Sequence, residues 1–198
     1  MGIIFDLDGT LVNSRLDFPA MRAEMGLPEG IPILESLQDL PPVDRARLEE
    51  ILLRHEWEGA RAAVLFPGVA ECLAELTRRG YPLAIVTRNA REPALDCLER
   101  LGIRPHFSQV IAREDGPHKP DPWAIQHICQ TWNRPTRQAA MVGDFHFDLR
   151  AGRNAGAWAV LFTGGQAVES IESHHLADFH FPTFEEPGPL LEWLTNVL

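Results

Sequence analysis

Five short apolar runs, separated by helical patterns, constrain this chain more than any other feature. They are GIIFD (Gly2 to Asp6), PLAIVT (Pro82 to Thr87), QVIA (Gln109 to Ala112), AAMV (Ala139 to Val142) and AWAVLF (Ala157 to Phe162). Each is too short for a helix, and the continuous apolar character suits strands buried on both faces. Between them the spacing predicts helices over Val69 to Arg79, Glu92 to Leu101, Pro122 to Trp132 and Leu149 to Ala155. Strands alternating with helices give an α/β fold, a Rossmann-like parallel sheet sandwiched by helices. A short run near Phe179 to Phe181 adds an edge strand before a last helix, Pro189 to Val197.

One segment breaks the alternation. From Arg15 to Leu65 no strand is evident, and Val43 to Val64 carries Leu48, Ile51, Leu52, His55 and Trp57 at a roughly helical period. Pro28, Pro32, Pro41 and Pro42 divide the remainder into short helices. The expected organisation is an α/β core of residues 1–14 and 66–198, with a small helical cap, 15–65, inserted after the first strand. A length of 198 residues accommodates one such core and a modest insert.

Composition narrows the partners. A formal net charge of −10 disfavours nucleic-acid backbones and anionic membranes. No apolar run approaches the ~20 residues that span a bilayer. The opening MGIIFDLDGT lacks the basic start of a signal peptide, so the expected location is cytoplasmic. Cys72, Cys97 and Cys129 are widely spaced and read as buried, reduced thiols. Of the 18 basic residues every one but Lys119 is arginine, which makes that compact ammonium a residue to account for.

In an open parallel sheet, ligands sit beyond the carboxyl ends of the strands. There the sequence sets Asp6, Asp8, Gly9 and Thr10 after the first strand, and Thr87, Arg88 and Asn89 after the second. Lys119 follows the third in a proline-bounded loop, and Gly143, Asp144 and Asp148 follow the fourth. Carboxylates gathered this closely resist ionising together. A hard divalent cation resolves the conflict, and all-oxygen ligation favours Mg²⁺ over zinc.

FDLDGT, a threonine closing an apolar strand, an isolated lysine and GDxxxD together resemble the four motifs of the haloacid dehalogenase superfamily, in order, from Ile3 to about Phe162. Asp-x-Asp-Gly-Thr alone would arise by chance in about one chain of this length in several hundred. The position of the helical insert is similar to that of the cap in the phosphoglycolate phosphatase-like subgroup, although this insert is shorter. The resemblance implies a Mg²⁺-dependent phosphatase acting on a small phosphorylated metabolite. It implies Asp6 as nucleophile and Asp8 as acid and base. Asp6, the Asp8 carbonyl and Asp144 would ligate the metal, with Asp148 on its waters. Thr87 and nearby backbone N–H groups would bind phosphoryl oxygens, with Lys119 between nucleophile and phosphoryl group.

A sugar-phosphate mutase of the same superfamily is the enzymatic alternative, and a non-catalytic phosphometabolite-binding protein is the other. The chain is expected as a monomer or homodimer. Arg88, together with Arg15, His55 and Trp57 of the insert, are candidates for substrate contact. Phe145 and Phe147 depart from the smaller, polar residues common at that point in the superfamily; packing beneath the site is the favoured expectation, with contact to a substrate the alternative.

Overall fold

The computed structural model describes residues 1–197. The chain forms two compact units, Met1–Asn13 with Val64–Leu198, and Ser14–Ala63.

The first unit is built on six parallel strands: β1 (Gly2–Phe5), β4 (Leu83–Val86), β5 (Phe107–Ile111), β6 (Ala139–Gly143), β7 (Trp158–Phe162) and β8 (Phe179–Phe181). They lie in the order β5-β4-β1-β6-β7-β8, which puts β1 in the middle. Every residue of β1 is buried, as a strand covered on both faces requires. Successive side chains alternate between the faces. Ile4 joins Ala84, Val86 and Met141 against Ile125, Ile128 and Cys129 of α6 (Trp123–Thr131). Phe5 turns to the opposite side, where Phe107 and Phe184 meet its ring. Phe162 and Phe181 extend that aromatic layer. Burying side chains of this size contributes roughly 1.5–3 kcal/mol each.

The connecting helices are α4 (Val69–Arg78), α5 (Arg91–Arg100), α6 and α7 (His146–Ala155), with α8 (Gly188–Asn196) last. Gly152 carries no Cβ, and one there would crowd Met141 Cβ at 3.3 Å, so the glycine lets α7 lie close on the sheet. Cys72, Cys97 and Cys129 are free and buried. Burial pushes the Cys72 and Cys97 thiols up to about 12 and Cys129 to about 11, so none is a nucleophile at neutral pH.

The second unit holds α1 (Phe18–Met25), α2 (Ile33–Gln38) and α3 (Pro42–Ala62). Met21, Met25, Ile33, Leu37, Leu48 and Leu52 form its core. Asp17 caps α1 by accepting the Ala20 N–H at 2.9 Å, and Gly26 ends it in the left-handed region. The buried stripe of α3 differs from the sequence expectation. It runs through Leu48, Leu52, Glu56, Gly59 and Ala60, while His55 and Trp57 lie beside it, only half-buried. His55 bonds Glu24 at 2.8 Å, and Arg61 sits over the Trp57 ring. The bare backbone of Gly59 admits Leu16, whose Cδ2 would lie 2.6 Å from a Cβ built there.

The expectation that the insert segment holds no strand is also corrected. Val64–Leu65 forms β3, paired antiparallel with β2 (Val12–Asn13). Two residues are too few to show alternation.

Gly68, at φ +82, precedes α4, and a Cβ there would overlap the backbone of Phe184 and Glu185. Gly68→Ala should therefore lower unfolding stability by about 2 kcal/mol or more, read from urea denaturation.

Candidate active site

Three neighbouring strands, β4, β1 and β6, end at one edge of the sheet, and the β5–α6 loop reaches the same place. Beyond β1 the backbone turns at once, with the Leu11 and Val12 N–H groups both donating to the Leu7 carbonyl. This tight turn carries Asp6, Asp8 and Thr10 together. Asp6 is anchored by its own N–H, which donates to the Val142 carbonyl of β6 at 2.8 Å.

Lys119 lies at the centre. The side chain is 2% exposed, and its Nζ donates to Asp6 Oδ1 at 2.5 Å and to Asp148 Oδ1 at 2.6 Å. A solvated surface lysine makes no such pair of contacts. Asp6, Asp144 and Asp148 bring one carboxylate oxygen each within 4.8 Å of one another, the arrangement of a small cation site. Three carboxylates and one ammonium leave two negative charges, the complement of a divalent cation. The all-oxygen donor set suits Mg²⁺.

Electrostatics agree with that reading. Burial, then the charges of Asp148 and Asp144, hold Asp6 well above the ordinary carboxylate range, although Lys119 pulls the other way. Burial and the Asp148 charge push Asp144 up to about 6, opposed by the hydrogen bond from Thr10 Oγ1 at 2.8 Å. Lys119 is desolvated, which lowers an ammonium, yet Asp148 and Asp6 outweigh burial and raise it.

Two glycines make room. Gly9 has φ +90, and a Cβ on it would fall 2.5 Å from Asp144 Oδ2. A Cβ on Gly143 would overlap the Asp148 side chain. Asp148 also accepts the Phe145 N–H at 3.0 Å, so one carboxylate caps α7 and meets Lys119. This bond starts α7 at His146, three residues before the sequence expectation.

Asp8 stands apart from the cluster. Its Oδ2 accepts from Asn89 Nδ2 at 3.2 Å. Thr87 is buried beside it, and its Oγ1 accepts the Asn89 N–H at 3.0 Å. The Thr87 N–H donates to Ile111 and the Ala90 N–H to Asn89 Oδ1. These three N–H groups, of Thr87, Asn89 and Ala90, are engaged within the fold. Arg88 donates to the Lys119 carbonyl, and its guanidinium lies 3.9 Å from the Phe147 ring centroid.

Phe145 does not pack beneath the site. It is 53% exposed, against His146 and Phe147. As the first residue after Asp144 and the cap of α7, it faces outward from the helix start. Sequence reasoning gave Asn89 and Thr10 no role; their place directly beside Thr87 and Asp8-Gly9 was the available signal. Arg15, His55 and Trp57 belong to the Ser14–Ala63 unit, where the last two make the local contacts described above.

The haloacid dehalogenase-like hydrolase family model matches residues 21–162. The chain belongs to the haloacid dehalogenase-like hydrolases. It is 33% identical to a haloacid dehalogenase-like hydrolase domain-containing protein of Arabidopsis thaliana, over 96% of this chain and 83% of that protein. It is 32% identical to a phosphoglycolate phosphatase of Cupriavidus necator, covering 83% of this chain and 81% of the relative. A crystal structure from Haemophilus somnus, described as a predicted phosphoglycolate phosphatase, superposes with a TM-score of 0.75 at 25% identity, covering 97% of this chain and 96% of that one. Within the family the chain falls in the phosphoglycolate phosphatase-like subgroup, and it is a phosphatase, a phosphoric monoester hydrolase. Among the described residues no helix is long and apolar enough to cross a membrane.

A carboxyl raised to about 6 in the fold but ordinary when unfolded binds its proton more tightly in the folded state. It adds stability as pH falls from about 6 toward 4 and costs stability above 6. In EDTA, Asp144→Asn should therefore be more stable than the parent at pH 7.5, by on the order of 2 kcal/mol. The gap should narrow to about half at pH 5 and close near pH 4, as thermal melts would report. Millimolar Mg²⁺ should reverse the order at pH 7.5 by raising the parent's melting temperature alone.

Proposed function

We propose that this phosphatase hydrolyses a small phosphorylated metabolite in two steps through an aspartyl-phosphate on Asp6, with Mg²⁺ as cofactor. The observation that carries this reading is the buried Lys119 ammonium, hydrogen-bonded to Asp6 and Asp148 inside a three-carboxylate cluster at the strand ends. The residues that would hold the ion are Asp6, the Asp8 carbonyl and Asp144, with Asp148 on its waters. When bound, Mg²⁺ supplies the positive charge that offsets repulsion between nucleophile and phosphoryl group.

Asp6 attacks phosphorus with a carboxylate oxygen, the bond to the leaving oxygen breaks, and Asp8 gives that oxygen its proton. Water then attacks the phosphorus and Asp8 takes a proton from it. The bond to Asp6 breaks, inorganic phosphate leaves and both side chains are restored. Lys119 fixes the Asp6 carboxylate and opposes the negative charge that gathers as the phosphoryl group transfers. The Thr87 hydroxyl donates to a phosphoryl oxygen, and the Arg88 charge adds to the field that attracts an anionic substrate to an acidic protein.

The Ser14–Ala63 helices serve as a cap that selects the substrate. 2-Phosphoglycolate is the first candidate, because named relatives carry that activity, among them the Cupriavidus necator protein. The chain acts in the cytoplasm, away from nucleic acid and membranes.

A phosphate-release assay over a panel of phosphorylated metabolites with Mg²⁺ tests this. EDTA should abolish turnover, and Asp6→Asn should cost on the order of 10⁴-fold or more. Normal rates in Asp6→Asn would remove Asp6 as nucleophile. Asp8→Asn should keep the fold and lose about 10²- to 10⁴-fold.

A further inference from the structure

We propose that Asn89 is a positioning residue for Asp8, holding the carboxyl where it serves both the leaving oxygen and the incoming water. The inference rests on the assignment of Asp8 as acid and base given above.

Asn89 ties the end of β4 to the turn after β1. Its Nδ2 donates to Asp8 Oδ2 at 3.2 Å, across a separation of 81 positions in the chain. The residue is 7% exposed, and each of its remaining polar groups is engaged. Oδ1 accepts the Ala90 N–H at 2.9 Å, the backbone N–H donates to Thr87 Oγ1 at 3.0 Å, and the backbone carbonyl accepts the Arg113 N–H at 3.1 Å. The Ala90 contact fixes which way the amide points. Only an oxygen satisfies that N–H, so the NH₂ end must face Asp8.

The chemistry explains why an amide suits this position. Asp8 has to carry a proton in the first step and lack one in the second, so it must stay in place in both forms. A lysine or arginine there would hold the carboxylate ionised and spoil it as an acid. An uncharged donor restrains the side chain without adding a charge. The same residue also accounts for the orientation of Thr87, since the Asn89 N–H occupies the acceptor side of that hydroxyl and leaves its hydrogen to turn toward a phosphoryl oxygen.

Leaving-group dependence separates positioning of an acid from general damage. p-Nitrophenolate departs without a proton, whereas phenol, with a pKa of about 10, needs one. The ratio kcat/KM reports the steps through formation of the aspartyl-phosphate. With Mg²⁺ present, Asn89→Ala should lower kcat/KM for phenyl phosphate by about 10- to 100-fold, and for p-nitrophenyl phosphate by less than about 3-fold. Asn89→Ser keeps a hydroxyl oxygen as acceptor near the Ala90 N–H, adds no charge, is too short to reach Asp8, and should show the same split if the alanine variant folds poorly. Asp8→Asn serves as the reference and should split the two substrates further. Equal losses on both esters in the Asn89 variants, or no loss, while Asp8→Asn does split them, would overturn the positioning role. No split in Asp8→Asn would instead overturn the assignment of Asp8 beneath it.

Discussion

A single ammonium buried between two carboxylates is the constraint on which this structure depends. Lys119 reaches Asp6 at the end of β1 and Asp148 in the first turn of α7, and none of the three is solvated well enough to stand alone. Removing a charge from water is costly, and the cost is offset only by close, well-aligned partners. Two strands, a loop and the start of α7 are therefore held to one geometry by a contact that tolerates little drift. The same contact leaves Asp144 unsatisfied in charge, and Thr10 is its hydrogen-bond partner. Three carboxylates against one ammonium leave an excess of negative charge at the strand ends.

The side chains that carry charge fill the site only because two others are missing. Gly9 and Gly143 stand against Asp144 and Asp148 at distances where any Cβ would intrude. Backbone without side chains is the densest way to bring three acids within 4.8 Å of one another. The exposed aromatic ring of Phe145 sits at the opposite extreme, a large apolar group beside the acids.

Most of the α/β unit could be read from the sequence because its determinants are local. The apolar runs are continuous, their ends are polar, and the parallel order follows from alternation with helices. The lone lysine identified itself by composition. What escaped depends on partners far away in the chain. Asn89 reads as an ordinary turn residue until Asp8 is brought to it. The start of α7 was placed late because His146 and Phe147 are weak helix formers, and only the Asp148 bond to Phe145 N–H begins the helix there. In α3 the apolar period pointed to Trp57, whereas the buried face runs through Glu56, Gly59 and Ala60, residues too polar or too small to register as an apolar stripe. The β2–β3 pair has two residues a side, below the length at which a pattern exists.

The central place of β1 has a consequence for how the molecule comes into being. Its partners are β4 on one side and β6 on the other, so β1 is flanked on both sides only after about 135 further residues have been made. Until residues 139–143 emerge, the segment bearing Asp6 has an open edge on one side and no Asp144 or Asp148 near it. A nascent chain therefore holds no assembled acid cluster to capture metal or phosphate esters prematurely. Fragments cut short of β6 should be inert and prone to stick to one another through that bare strand.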